Sequence, residues 1–230
     1  MSARLASFRG PSTPTASPAQ HFLPQSPSSP SRQAESTFHR KVRTLLQELR
    51  SISESWDDLV LLDGLKSARI LVDARTDLDN EITSLPDRLP KTYLVGPKLV
   101  VMEKCIASLD NVILKLEKLF RRMNIAIDNL ESVLVEATKV KGWKWVREEP
   151  LWVSWPLEAF VTSIPAIIVP YHRSLHTYKQ FVNRLHSHSI PFEEAKDIIE
   201  QWAQQPHLLE ESWGDRWEDI CAAEVERWNK

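Results

Sequence analysis

The chain has 230 residues, 42% hydrophobic and 26% charged, with a formal net charge of −2. That length suffices for one or two domains with a core of their own, and the near-neutral charge gives no basis for strong nonspecific binding to nucleic acid. The five glycines all lie more than thirty positions apart, which excludes P-loop and dinucleotide fingerprints and argues against many-stranded folds built on Asn-Gly hairpins. The longest apolar run, Ala159 to Tyr171 with Pro165 and Pro170 inside it, falls short of the ~20 residues of a membrane span. Cys105 and Cys221 form no CxxC pair, against a disulfide scaffold or a cysteine-based zinc module.

Residues 1–35 read as a disordered tail. Six of the fifteen prolines fall there, with Arg4, Arg9 and Arg32 and no acid before Glu35. Such a segment buries too little apolar surface to offset its ordering entropy. Its composition also fits a mitochondrial leader, although Pro11, Pro14 and Pro18 cut the amphipathic stretch short. Thr13-Pro14, Ser17-Pro18, Ser26-Pro27 and Ser29-Pro30 are proline-directed phosphorylation sites, and Ser29 has Arg32 three positions on, as cyclin-dependent kinases prefer.

Residues 36–142 predict a long antiparallel coiled-coil hairpin. Val42, Leu45, Leu46, Leu49, Ile52, Trp56 and Leu59 recur at three and four. Asp63-Gly64 disturbs the register before Leu65, Leu71, Leu78 and Ile82 resume it. Pro86 and Pro90 end this helix, and a connector runs to Pro97. The second helix carries an a/d heptad from Leu99 to Ala137 with apolar g positions such as Val112, Leu119 and Val133, a stripe suited to a multi-helix arrangement. It closes at Lys141-Gly142.

Residues 143–230 predict a compact tryptophan-rich helical region, holding eight of the nine tryptophans. A break at Glu148-Glu149-Pro150 leads to Trp152-Val153-Ser154-Trp155-Pro156, then a helix from Leu157 or Pro165 to His188, with a strand at 159–169 as the minor alternative. A short helix spans Phe192 to Gln204, and Pro206 opens the last, with Leu209, Trp213, Trp217, Ile220, Val225 and Trp228 on one face. From Pro191 onward eleven acids face four bases, an acidic face that is either simply solvated or turned to a basic partner.

Little here resembles catalysis. His172 and His176 share a face but lack a third ligand, so no metal is expected. His186 and His188 suit a helix end, and Cys105 reads as a small apolar residue. Lys139, Lys141, Lys144 and Arg147 interleave with Trp143 and Trp145, but Glu148 and Glu149 follow at once, which favours an amphipathic linker over a nucleic-acid surface. No nucleophile, base and stabiliser are brought together, so neither an enzyme nor a cofactor is expected.

The run Leu151 to Pro156 with Phe160, then Tyr171, Arg173, Leu175, Lys179, Val182 and Leu185, resembles the cyclin-dependent kinase 2-interacting protein family, as does Trp202-Ala203-Gln204-Gln205-Pro206. The likeness covers about 80 residues well; Pro165 and Pro170 interrupt what the family reads as continuous helix. The resemblance implies a nuclear, non-enzymatic adaptor. Its implied partners are cyclin-dependent or replication-initiating kinases, replication and checkpoint components, or an AAA-ATPase complex in ribosome maturation. The residues picked for recognition are Trp152, Trp155, Pro156, Trp202, Gln205 and Pro206, with Ser29 as the modification site. The coil leaves homo- or hetero-oligomerisation open, and no nucleic acid or membrane contact is expected. Two other readings stand: a structural coiled-coil subunit of a kinetochore or tethering complex, and a mitochondrial matrix protein with a cleaved leader.

Overall fold

A computed structural model describes residues 35–84, 92–187, 189–210 and 213–225, all within one compact unit, Glu35–Lys230. The tail with Ser29 and the other proline-directed sites, the prolines at 86 and 90, His188 and Trp228 lie outside the described residues. The protein is all-α: among the described residues there is no strand, only an isolated bridge between Pro150 and Pro156.

Helix α1 (Thr37–Asp57) starts at Ser36, whose Oγ accepts from the His39 amide, filling one of the orphan donors of a helix N-terminus. Its stripe of Val42, Leu46, Leu49, Ile52 and Trp56 is buried. The chain then makes a π-helical passage, Asp58–Gly64, in which the Leu65 amide reaches back five residues to the Val60 carbonyl. The wider turn delays the next inward position, so that Leu65, Ala68, Leu71, Val72 and Leu78 of α2 (Leu65–Ser84) continue on the buried face. The disturbance at Asp63-Gly64 is this passage.

Helix α3 (Thr92–Lys141) begins five residues before Pro97 and carries that proline inside its exposed N-terminal end. The connector is therefore shorter than the proline spacing suggested. Of the heptad, the d positions Met102, Leu109, Leu116, Met123, Leu130 and Ala137 are buried, as are Cys105, Val112, Leu119, Ala126 and Val133 at g. Most a positions are only partly buried, and Leu99 is exposed. The stripe is centred on d because α3 faces more than one helix. Lys41–Glu136, Arg122–Glu48, Lys115–Asp63 and Lys98–Asp77 ion pairs run in opposite order along the two segments, fixing an antiparallel hairpin whose exposed pairs each add at most about 1 kcal/mol.

Helix α6 (Ile168–His186) completes a three-helix bundle. His172 lies 5.6 Å from the Phe120 ring, Lys179 pairs with Glu117 at 2.6 Å, and His186 reaches Asp110 at 3.1 Å, an antiparallel register on α3. On its other side Tyr171 meets Trp56 edge-on at 5.0 Å, and Arg75 donates to the Leu185 carbonyl at 3.0 Å. Before it come α4 (Trp143–Glu148), α5 (Leu157–Ser163) and a 3₁₀ turn, Ile164–Ile167. The segment 159–169 is thus helical, and Pro165 sits in the tighter turn, where a missing N–H is tolerated. After it α7 (Phe192–Gln204) crosses α2, followed by α8 (Pro206–Glu210), α9 (Trp213–Ile220) and a π turn, Cys221–Val225. Gly142, at φ 88°, lets the chain leave α3 and enter α4.

Gly64 meets a different constraint. A Cβ there would stand 2.6 Å from Cζ2 of the fully buried Trp202 ring, whereas one at Gly96 would meet nothing within 4 Å. Gly64→Ala should lower stability by about 1–3 kcal/mol through overpacking, while Gly96→Ala in α3 should raise it by up to about 1 kcal/mol. Urea unfolding of the two variants checks this, and equal effects would contradict the packing.

Candidate interaction surface

The two resembling motifs lie at opposite ends of α1. Between Pro150 and Pro156 the chain forms a closed loop, tied by the bridge between those prolines and by the Leu151 amide donating to the Trp155 carbonyl at 2.9 Å. Trp152 turns inward, edge-on to His39 at 5.7 Å and Phe160 at 5.5 Å, with the Arg43 guanidinium 5.5 Å from its ring. Its indole N–H donates to Glu35 at 3.4 Å, and Glu35 also pairs with Arg43. His39 ties the loop to α1 by donating from Nε2 to the Leu151 carbonyl while Ser36 Oγ sits 2.7 Å from Nδ1. Burial holds its pKa below the usual value despite that carbonyl and Glu35, and Arg43 adds to the lowering. Trp155 and Pro156 remain half-buried, Trp155 resting on Phe160 at 5.2 Å.

The same loop seizes a carboxylate from seventy residues away. Glu224, in the π turn, is buried and accepts from the amides of Ser154 at 2.9 Å and Trp155 at 3.0 Å and from Ser154 Oγ. Burial by itself pushes its pKa up; the hydrogen bonds from Ser154 and Trp155, with the nearby Val153 amide, outweigh burial and leave it below the ordinary glutamate value.

At the far end, Trp202 is completely buried, its N–H donating to the Val60 carbonyl at 3.0 Å and its ring 4.9 Å from that of Tyr178. Gln205 closes α7 in the left-handed region, at φ 45° and ψ 54°, and Pro206 starts α8 immediately after. A non-glycine residue there bears about 1 kcal/mol of strain. Its side chain is held by donating to Asp57 at 3.2 Å. A cleft of about 410 Å³ opens beside it, lined by Asp57, Tyr171, Gln205, Leu208, Leu209 and Asp215. Burial raises the Asp57 pKa, the Gln205 amide lowers it, and Asp58 raises it further. Tyr171 is pushed up to about 12, first by burial, with Ser53 opposing and Asp57 adding to it. Tyr178 is raised further still by burial and by Asp57. Neither tyrosine is a base at neutral pH.

Of the six recognition candidates, Trp152 and Trp202 are thus packing residues, and Trp155, Pro156, Gln205 and Pro206 are partly exposed. The structure does not bring the six into one patch. Trp152 contacts α1 at His39 and Gln205 contacts it at Asp57, about 27 Å apart at the helical rise. The segment from Pro206 to Val225 spans the two, since Asp215 lines the cleft and Glu224 enters the loop. Glu224 and Asp57 were not legible as site residues: each pairs with a group seventy or more positions away.

The other constellations are absorbed into packing. His176 bonds Gln180, and no group of three His, Cys, Asp or Glu that could hold a metal occurs among the described residues. Cys105 is buried and its thiol pushed up in pKa by that burial. Trp145 packs on Phe38, while exposed Trp143 lies under the Arg147 guanidinium at 4.3 Å, and Arg147 pairs with Glu158. No described helix is long and apolar enough to cross a membrane. Compared with known proteins, the chain matches no protein-family model and no curated protein.

The two carboxylates predict opposite pH responses. Glu224, with its pKa lowered on folding, contributes stability that is full above its unfolded pKa of ~4.3 and lost as pH falls through the folded value. Glu224→Gln should therefore cost about 1.5–3 kcal/mol near pH 7, with the gap closing below about pH 4. Asp57 has its pKa raised, so its ionisation disfavours the folded state as pH rises. Asp57→Asn should raise the melting temperature at pH 7 and lose that gain toward pH 4. Melting temperatures across pH 3–8 test both, and a pH-independent Glu224 effect would refute the first.

Proposed function

We propose that this protein is a non-enzymatic adaptor whose partners contact the surfaces around the two tryptophan motifs, the Pro150–Pro156 loop and the Gln205-Pro206 turn. The observation that carries the reading is the placement of the two motifs that resemble the cyclin-dependent kinase 2-interacting protein family. Each presents partly exposed residues: Trp155, resting on Phe160, with Pro156 in one, and Gln205, held by Asp57, with Pro206 in the other. Rigidly backed aromatic residues at a surface are what interface anchors look like. By the resemblance, the partners are cell-cycle kinases, replication or checkpoint components, or subunits of an AAA-ATPase complex. The implied location is the nucleus, with the mitochondrion as the alternative, and Ser29 is the proposed phosphorylation site.

A second reading has its own observation. Helix α3 runs 50 residues, about 75 Å, and exposes Leu114, Ile125, Val135 and Val140 on faces the bundle leaves uncovered. Those residues support a structural subunit that assembles through α3. Copurification from cells expressing tagged full-length chain separates the two. Trp155→Ala with Gln205→Ala, shown folded by circular dichroism, should lose its associated proteins under the adaptor reading. Retention there, with loss in Leu114→Ser plus Ile125→Ser, would favour the structural subunit.

A further inference from the structure

The C-terminal segment has the form of a bound ligand. Trp217, Ile220, Cys221, Glu224 and Val225 are buried, while Gly214, Asp215, Glu218, Asp219, Ala222 and Ala223 are exposed. The buried set is i, i+3, i+4, i+7, i+8, the anchor pattern of an amphipathic helix laid into a groove. Its one charged anchor, Glu224, enters the Val153–Trp155 loop, where two amides and a hydroxyl converge on a single carboxylate. The bridge between Pro150 and Pro156 closes that loop, so the donors are preorganised and favour an anion there. A second polar tie joins Arg50 of α1 to Glu218 at 3.0 Å, in the open.

The segment also sits at the margin of the core. Trp217, Ile220, Cys221 and Val225 keep 4–8% of their surface exposed, as do Leu65 and Leu78 at the bundle's own edge, whereas Leu49, Ile52, Trp56, Leu109 and Leu116 at its centre keep none. The deepest large side chains all belong to the bundle, α5, α7 and the loop. Elements packed by one face at a margin open at lower free energy than the bundle that carries them.

We infer that the surface beneath this segment is a carboxylate-anchored helix-docking site, held in cis by residues 213–225 and open by exchange to a partner protein's helix. The partner helix repeats the pattern: a large apolar residue, apolar residues three, four and eight positions on, and a glutamate at the seventh. The apolar footprint and the single buried carboxylate favour a peptide helix over a polyanion. This inference rests on the adaptor reading and names a site beside the Pro150–Pro156 loop where a partner binds.

The test uses the full-length chain and, as probe, a fluorescent peptide of its own residues 210–230. The peptide must compete with the cis segment, so its apparent affinity is reduced by the closed fraction. Glu224→Gln in the chain loosens the cis helix and leaves the loop donors intact; this variant should bind the peptide at least tenfold more tightly than wild type. Glu224→Gln in the peptide should weaken binding at least tenfold. Glu218→Lys in the chain, which repels Arg50 in cis at an exposed position, should also tighten binding and covers the case in which Glu224→Gln fails to fold. Equal affinity for wild-type and Glu218→Lys chains, or indifference to the glutamate of the peptide, would overturn the inference. A stable dimer of the full chain, lost on Glu224→Gln, would also overturn it, in favour of a second copy as occupant. Exchange that survives while copurified partners do not depend on Trp155 would count against the adaptor reading alone. Partner loss without exchange would count against the docking site alone.

Discussion

The architecture depends on one oversized turn. With 3.6 residues per turn, each added residue rotates a helix face by about 100°, and the π passage at Asp58–Gly64 absorbs such an addition so that α1 and α2 present continuous stripes to α3. The same turn brings Gly64 under the Trp202 ring and offers the Val60 carbonyl to its indole N–H. Tyr178 and Phe181 of α6 close on that ring at 4.9 and 6.2 Å. One side chain therefore ties α7 to the hairpin and to the third helix, and a glycine is the only residue whose volume allows it.

Carboxylates mark the loop and the cleft, and their surroundings differ in kind. Glu224 is less exposed to solvent, yet it meets three donors aimed at its oxygens. Asp57 meets one amide and a neighbouring acid. Burial penalises both charges; hydrogen bonds decide the sign of the net effect. The loop is accordingly built to keep a charge, while the cleft tolerates one poorly. That difference is why the loop, and not the larger cleft, is the better anion receptor on this surface.

What the amino-acid pattern revealed follows the range of the interactions involved. The three-and-four spacing from Val42 to Trp56 and the Leu99–Ala137 heptad report local burial, and both helices stand where that spacing puts them. Pro97 misled because a proline near a helix start has few intrahelical bonds to lose, so α3 runs through it. Residues 159–169 fold as helix although their apolar run also fits a strand, because Pro165 finds a 3₁₀ turn. The placement of Trp152, Trp155, Trp202 and Gln205 was not legible. Which tryptophan is core and which is half-open depends on His39, Phe160, Val60 and Asp57, partners contributed from distant parts of the chain.

The distribution of polar contacts bears on how the two ends communicate. Residues 206–225 touch the cleft through Leu208, Leu209 and Asp215 and touch the loop through Glu224. The two foci lie about 27 Å apart on a rigid helix, which transmits little by bending. The C-terminal segment is the described element that contacts both while being packed on one face. Its displacement would free the Ser154 and Trp155 donors and remove Asp215 from the wall of the cleft in a single event. A ligand that replaces the segment must bring a carboxylate of its own to those donors, or leave the amides of Ser154 and Trp155 unpaired. That requirement is narrower than the apolar anchors impose, and it disfavours amphipathic helices that lack a carboxylate at that position.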